Sequence, residues 1–480
     1  MVDAALLPSP PVSIKLRVLS HHTAAAARLG KEGLVIVGGV AAGLAAAMEA
    51  RRNAPGLPVT VYERTGDISY GACGLPYVVA GLIPSADSLV LHTPEYFRER
   101  HDIEVRTNCE AVELLPSKAV LRVREGGAER EVGYDSLVLA TGAAAVCPPL
   151  PGRDLEGVFV LRHMRDGRRL LRHLEAARPR TAAVVGAGYI GLELAEAFAS
   201  RGLRTTLVEA SDAVMGALGG RMRDLVAEEL RARGVEVLFG ERVTGFEGAG
   251  ARVTRVLTDA GRAVEAEVVS VGVGVRPEVA LAAAAGIEVG ESGALLTDER
   301  QRTSAPGVYA AGDCCEVLHR VSGRRVWHPL GQPAVRQGWV AGANAVGDAG
   351  AGARYAGVVG TNAVKVFGLE VARTGLSLKE AVEAGFDATE TENDSHSRAG
   401  YYPGSSRIHT RLVTDARGRL LGAQMVGREG VAHRVNVYAA ALHAGLRVEE
   451  VERLDLAYAP PFAPTIDPVI RAAHAARKKE

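Results

Sequence analysis

The sequence predicts an α/β chain built on parallel sheets, and three observations carry that prediction. A strand–glycine–helix pattern opens twice, at "GLVIVGGVAAGLAAAMEARR" and at "TAAVVGAGYIGLELAEAFASRG". Each opening leads into a second short apolar strand that ends on an acid, Glu63 in "LPVTVYER" and Glu209 in "LRTTLVEAS". Elsewhere buried-strand runs alternate with helical patterns, the arrangement that feeds a parallel sheet covered on both faces.

In the first opening a buried strand, Leu34 to Val37, runs into the turn Gly38-Gly39-Val40-Ala41-Ala42-Gly43 and then an alanine-rich helix. Gly38 and Gly43 hold the outer positions of a GxGxxG fingerprint, while Val40 takes the middle one with Gly39 beside it. The second opening has the full spacing, Gly186, Gly188 and Gly191, with Tyr189 and Ile190 between the last two. In such a unit the first glycine permits the tight turn, the second lets backbone approach a pyrophosphate, and the third lets helix pack on strand. The pyrophosphate then rests where unpaired helix N–H groups favour negative charge. Glu63 and Glu209 each follow their first glycine by about twenty-odd residues, the place of a ribose-binding carboxylate. Two dinucleotides are therefore expected on one chain. After Glu209 come Ala210 and Ser211, with no cation for a 2′-phosphate, so NADH is favoured at the second site and NADPH stays open.

Further on, "YDSLVLATGA" reads as a buried strand ending at Ala140, Thr141 and Gly142. "TSAPGVYAAGDCCEV" reads as a strand from Gly307 to Ala311 ending at Gly312-Asp313. An aspartate there suits a polyol such as a flavin's ribityl chain, although a plain turn aspartate fits that stretch equally well. The glycine-rich "AVGDAGAGARYAGVVG" separates two ordered patterns.

The totals narrow the function classes. A chain of 480 residues suggests about three domains. Lys plus Arg number 56 and Asp plus Glu number 56, so nothing points to nucleic acid or an anionic membrane surface. No run approaches the roughly 18 apolar residues of a membrane span. Five scattered cysteines without a CxxC pair are neither a disulfide framework nor a zinc site, which fits a reducing cytoplasmic setting. Thirteen histidines show no HxxxH or HExxH spacing, so no metal is expected. Residues 1–32 lack the apolar core and cleavage site of a signal peptide and read as a loosely ordered extension.

The two openings, the "ATG" turn and the "VYAAGD" strand resemble the pyridine nucleotide–disulfide oxidoreductases, FAD flavoproteins, from about Leu34 to Ile470. More narrowly, "SYGACGLPY", "GYYPGSS" and "LDLAYAPPFAPTIDP" resemble the single-cysteine branch: coenzyme A disulfide reductases with the related NADH oxidases and persulfide reductases. The resemblance implies an FAD-binding domain over residues 33–150 and 280–345, and an NAD(P)H-binding domain over 151–279. A C-terminal α/β dimerisation domain over 346–480 would build a homodimer with shared active sites. FAD would then meet the first glycine turn, Glu63, Arg64, Ser69, the Ala140–Gly142 turn, Gly312 and Asp313. NAD(P)H would meet the second turn and Glu209.

The lone thiol of "GACGLPY" is Cys73. The following "GLPYVVAG" can start a helix, because Pro76 is tolerated only in a first turn. A cysteine at that end faces orphan N–H groups, which favour the thiolate. The resemblance implies a cycle in which electrons from NADH pass by way of the flavin to Cys73, resting as a mixed disulfide with coenzyme A. The substrate, a small disulfide or persulfide, brings the second sulfur. Proton donors implied by the family are Tyr458 in "LAYAPPF" and Tyr401 or Tyr402 in "GYYPG", reaching across the dimer. By family position Arg52, with Arg51 beside it, would meet coenzyme A phosphates, and Ser69 would lie near the sulfur.

Two departures stand out. Ala72 replaces an Asn, and Glu49 replaces a Gln, found in several coenzyme A disulfide reductases, and an acid at Glu49 works against a phosphate. The turn "GGVAAG" holds no histidine, which disfavours peroxidase chemistry. Oxygen reduction by an NADH oxidase stays as the alternative, and a redox-responsive flavoprotein that signals through its interface as one of another class. Cys109, Cys147, Cys314 and Cys315 read as packing residues.

Overall fold

The computed structural model describes residues 32–216, 218–347 and 352–477; the extension over 1–31 lies outside them. Leu34–Val37 and Ser136–Leu139 are buried along their whole length, as strands covered on both faces must be. They lie at the centre of a five-stranded parallel sheet ordered Val308–Ala310, Ser136–Leu139, Leu34–Val37, Val59–Tyr62, Glu104–Arg106. A strand from beyond residue 300 thus pairs beside one from residue 136, and the chain leaves this sheet and returns to it. The return is cemented by close helix packing. The helix Gly331–Ala345 lays Gly338 and Gly342 on the helix Ala41–Asn53, where a Cβ would run into the carbonyl oxygens of Ala42 and Ala46.

Between departure and return lies a second five-stranded parallel sheet, ordered Glu236–Phe239, Arg204–Glu209, Thr181–Val185, Val268–Val271, Val158–Phe159. The antiparallel pair Ala143–Ala145 with Val275–Pro277 joins the two units where the chain crosses between them. The C-terminal unit is a five-stranded antiparallel sheet, Asn362–Val366, Leu369–Gly375, Leu420–Gly427, Arg407–Asp415, Ala388–His396. The helices Val431–Ala444 and Pro468–Arg477 contribute to its core. This is the α/β architecture expected, with parallel sheets in both glycine-turn units.

Polar links tie the C-terminal sheet to the second unit. Tyr189 donates its hydroxyl to Asn362 Oδ1 at 2.6 Å. Phe367 N–H donates to Glu196 at 2.6 Å, and Arg428 to Glu229 at 2.7 Å. Among the described residues no helix is long and apolar enough to cross a membrane.

Candidate active site

Both glycine turns open into one cavity of about 1770 Å³, lined also by Cys73, Thr141, Gly142 and Asp313. Single-ligand pockets hold roughly 300–1,000 Å³, so this volume has room for more than one large ligand. The turns are built alike. Gly38 and Gly186 take φ of +111° and +99°, which a side chain would strain. A Cβ at Gly43 would strike the carbonyl oxygen of Gly38, and one at Gly191 that of Gly186. Gly188, by contrast, faces open space, with no atom within 4 Å of a built Cβ. In the first turn Gly39 is the constrained neighbour of Val40: a Cβ there would lie 2.9 Å from Ile68 and 3.1 Å from Glu63.

The two acids repeat the same construction. Glu63 accepts the Gly39 N–H at 2.9 Å and both the N–H and hydroxyl of Thr65 at 2.8 Å. Glu209 accepts the Ala187 N–H at 2.6 Å and both the N–H and hydroxyl of Ser211 at 2.8 Å. Each carboxylate ends its strand beside its turn, facing the cavity. Arg64 pairs with Glu278 at 3.2 Å, and Thr141 donates to the Glu278 carbonyl at 2.5 Å. Val40, Ala41 and Ala42 line the cavity together with Tyr189 and Ile190. Ser69 does not line it; with φ +48° it donates its N–H to the Gly39 carbonyl at 3.1 Å and braces the turn from behind.

Gly312 takes φ +85° and donates its N–H to the buried Gln337 side chain at 2.6 Å. Asp313 is not free. Arg162 Nη2 donates to its carboxylate at 2.5 Å, and the same guanidinium donates to the Ala143 carbonyl at 3.0 Å. Trp327 fixes the Asp313 carbonyl at 2.7 Å.

Cys73 sits in a 3₁₀ turn, Ala72–Gly74, that runs into the helix Leu75–Val79 with Pro76 in its first turn. Its side chain is exposed and lines the cavity. The thiol is held above its ordinary value, against the expectation of a lowered one. Burial by the cleft walls is the main cause and Glu193 the next, while Arg162 pulls the other way. Five residues of helix supply little dipole, and the carboxylate of a neighbouring helix outweighs it.

Three side chains of this site have no signature of their role in the sequence, although Tyr77 closes "SYGACGLPY" and Glu193 follows the second glycine turn. Tyr77 donates its hydroxyl to Glu193 at 3.1 Å. Burial pushes the Glu193 carboxyl up to about 7, Glu196 adds to the rise, and the Tyr77 hydrogen bond and Lys365 oppose it. The one signal that could have found this pair is spacing: Tyr77 follows Cys73 by one helical turn, and Glu193 follows Tyr189 by another. Arg162, in "VLRHMRD", has no such signal.

The remaining expected residues separate. Arg51 is only 12% exposed at its side chain and turns inward, donating to the Pro55 and Asp102 carbonyls with Nε left unpartnered. It is not offered to a ligand. Arg52 is exposed but pairs with Glu49 at 2.6 Å. Tyr401, Tyr402 and Tyr458 lie outside this chain's cavity. Tyr401 is 78% exposed with Tyr458 near enough to raise its phenol, whereas Tyr402 packs under the Arg398 guanidinium at 5.7 Å. Phe462 and Ile466 are exposed nearby in sequence, extending an apolar surface. Cys109, Cys314 and Cys315 are buried, but Cys147 is exposed, contrary to the packing role expected of it.

Two dinucleotide turns facing an accessible thiol in one cavity define a nucleotide-dependent oxidoreductase with a candidate redox cysteine. The chain belongs to the pyridine nucleotide-disulphide oxidoreductase family: residues 33–338 match that family, and residues 361–469 match its dimerisation domain. It is 38% identical over 442 residues to the NAD(P)H coenzyme A polysulfide/persulfide reductase of Pyrococcus horikoshii, covering 92% of this chain and 97% of that protein. It is 35% identical over 450 residues to the NADH oxidase of Methanocaldococcus jannaschii, covering 93% and 98%. The solved structure of a NAD-dependent persulfide reductase from A. fulgidus superposes with a TM-score of 0.90 at 37% identity, over 93% of this chain and 83% of that one.

Proposed function

We propose that the protein uses NADH to reduce sulfur carried by coenzyme A, as a disulfide or a persulfide, through Cys73 in the cytoplasm. The observation that supports this most is a single accessible thiol in a cavity shared by two dinucleotide turns, while Cys109, Cys314 and Cys315 are buried. Bound FAD supplies the two-electron link between nicotinamide and sulfur. The residues would fit it: the Gly38–Gly43 turn would face its pyrophosphate, Glu63 a ribose, and the Ala140–Gly142 turn and Gly312-Asp313, which line the same cavity, the rest of the group. The Gly186–Gly191 turn and Glu209 would hold NADH in the same way, and the Glu209 carboxylate, with no cation following it in the chain, disfavours the 2′-phosphate of NADPH.

Cys73 Sγ then attacks the outer sulfur bond of the substrate and keeps one half as a mixed disulfide with coenzyme A until two electrons release it. Tyr401 and Tyr458 of a second copy are the proton donors for the expelled thiolate, since in their own chain they are exposed and do not line the cavity. Of the tyrosine pair, the exposed Tyr401 suits that role better than Tyr402, which is covered by Arg398. Coenzyme A phosphates would rely on Arg52, which must leave Glu49 to reach them.

The test is anaerobic. Purified protein is reduced with NADH, coenzyme A disulfide is added, and flavin absorbance is followed together with the mass of the Cys73 peptide before reduction. Rapid recovery of colour and a mass increase matching one coenzyme A support the reading. Recovery only on admitting air, with an unmodified or sulfenic Cys73, would replace it with an NADH oxidase, the reading that the M. jannaschii relative favours. A long-lived reduced flavin with neither response would point to a sensor.

A further inference from the structure

Reducing a disulfide with NADH takes up one proton, since NADH + H⁺ + RSSR gives NAD⁺ + 2 RSH. The tyrosines of a second copy can serve one side of the thiol. On the other side, this chain brings its own acid–base pair. Tyr77 stands on the helix Leu75–Val79 that follows the Cys73 turn, near enough for the sulfur's charge to bear on its phenol, and its hydroxyl meets Glu193 Oε1 at 3.1 Å. Glu193 stands on the helix Tyr189–Ser200, which starts at the second glycine turn, so this hydrogen bond bridges the two nucleotide-binding units. Cys73, Tyr77 and Glu193 line the same cavity.

The charges around the pair leave it free to respond to the sulfur. Glu193 faces Tyr77 and Cys73 from the turn and helix opposite, Glu196 from its own helix, and Lys365 from the strand Asn362–Val366. Lys365 and Glu196 are bound to each other and largely cancel. Cys73 is faced in addition by Arg162 and Asp313, which are also paired. What remains uncompensated is Glu193 itself and, when it forms, the Cys73 thiolate. Two such negative groups in one half-buried site resist being charged together.

We infer that Tyr77 and Glu193 are a proton-holding pair for the sulfur chemistry at Cys73. Glu193 takes up a proton when Cys73 is released as thiolate. It returns that proton through the Tyr77 hydroxyl to the thiolate expelled in the cleft: RS⁻ with Tyr77–OH and Glu193–COOH becomes RSH with Tyr77–OH and Glu193–COO⁻. The carboxyl's elevation to about 7 suits an exchange near neutral pH. The inference rests on the sulfur-reductase reading, but one of its tests does not need a substrate.

The experiment compares FAD-loaded wild type, Glu193→Gln and Tyr77→Phe. Glutamine keeps an acceptor for Tyr77 and cannot hold a proton, and Tyr77→Phe gives the same readouts if the first variant folds poorly. Iodoacetamide labelling of the Cys73 peptide after anaerobic NADH reduction is measured between about pH 5.5 and 9, as are kcat and KM for NADH with coenzyme A disulfide. The expected result is a labelling midpoint shifted to lower pH in Glu193→Gln. With it, kcat falls about 10-fold or more in both variants, the inflection near neutral pH is lost, and KM stays within about 2-fold. A raised KM with unchanged labelling midpoint and pH profile would overturn the inference and leave Glu193 as a nicotinamide contact. An unaffected Tyr77→Phe would also overturn it. If Cys73→Ser keeps its thiol-forming turnover, the sulfur reading itself fails, whatever the labelling shows.

Discussion

Replacing Glu193 by glutamine should stabilise the protein at alkaline pH and leave it unchanged in acid. The native carboxyl titrates at about 7 against an ordinary 4.5, so in that window the folded state holds a proton that the unfolded chain has released. Stability then falls as pH rises from about 4.5 to about 7 and is level beyond, because the unfolded state binds fewer protons. At ~1.4 kcal/mol per pH unit the window is worth about 3 kcal/mol as a ceiling. Water at the cleft-facing oxygen lowers this to about 1–2 kcal/mol. Glu193→Gln removes the charge and keeps the acceptor that Tyr77 uses at 3.1 Å, so it should gain that amount near pH 8 and almost nothing near pH ~4. Thermal unfolding of the FAD-loaded protein, read by flavin fluorescence at constant ionic strength, should show a rise of a few degrees at the higher pH only. A difference that is the same at both pH values, or a less stable variant at the higher one, would refute the burial argument.

Other outcomes follow from the same geometry. Cys73→Ser should still be reduced by NADH yet lose thiol release by about 10³-fold or more, seen as flavin bleaching without recovery. Glu209→Ala should raise KM for NADH about 10–100-fold through lost ribose hydrogen bonds while changing NADPH far less, and an equal loss for both would remove the ribose role. Gly188→Ala should fold with unchanged thermal stability and bind NADH weakly, because its Cβ meets only open space. Gly191→Ala should lose stability outright, because its Cβ meets the Gly186 carbonyl. Tyr401→Phe and Tyr458→Phe should each lower kcat by about 10–100-fold without altering flavin reduction by NADH.

The parts of this protein readable in advance were those governed by neighbours in the chain. A glycine turn demands positive φ at Gly38 and Gly186 and bare backbone at Gly43 and Gly191, and those demands are met within six residues. An acid at the end of the next parallel strand is carried by the sheet's register to the turn, as Val37 opposite Tyr62 and Val185 opposite Val208 show. The absence of a CxxC partner for Cys73 was equally plain. The exchange between Arg162 and Asp313, the inward turn of Arg51 and the outward reach of Tyr401 over Tyr402 were not, since each depends on which elements pack together.

The sequence by itself therefore determined the class of fold, the two nucleotide turns and the candidate nucleophile, because these rest on backbone sterics and strand order, which local residues dictate. Tertiary structure alone decided the acidity around that nucleophile. Glu193 lies 120 residues from Cys73 in the chain, and only the packing of two nucleotide units both buries the thiol and sets that carboxylate beside it, raising a thiol that the adjoining helix end was expected to lower.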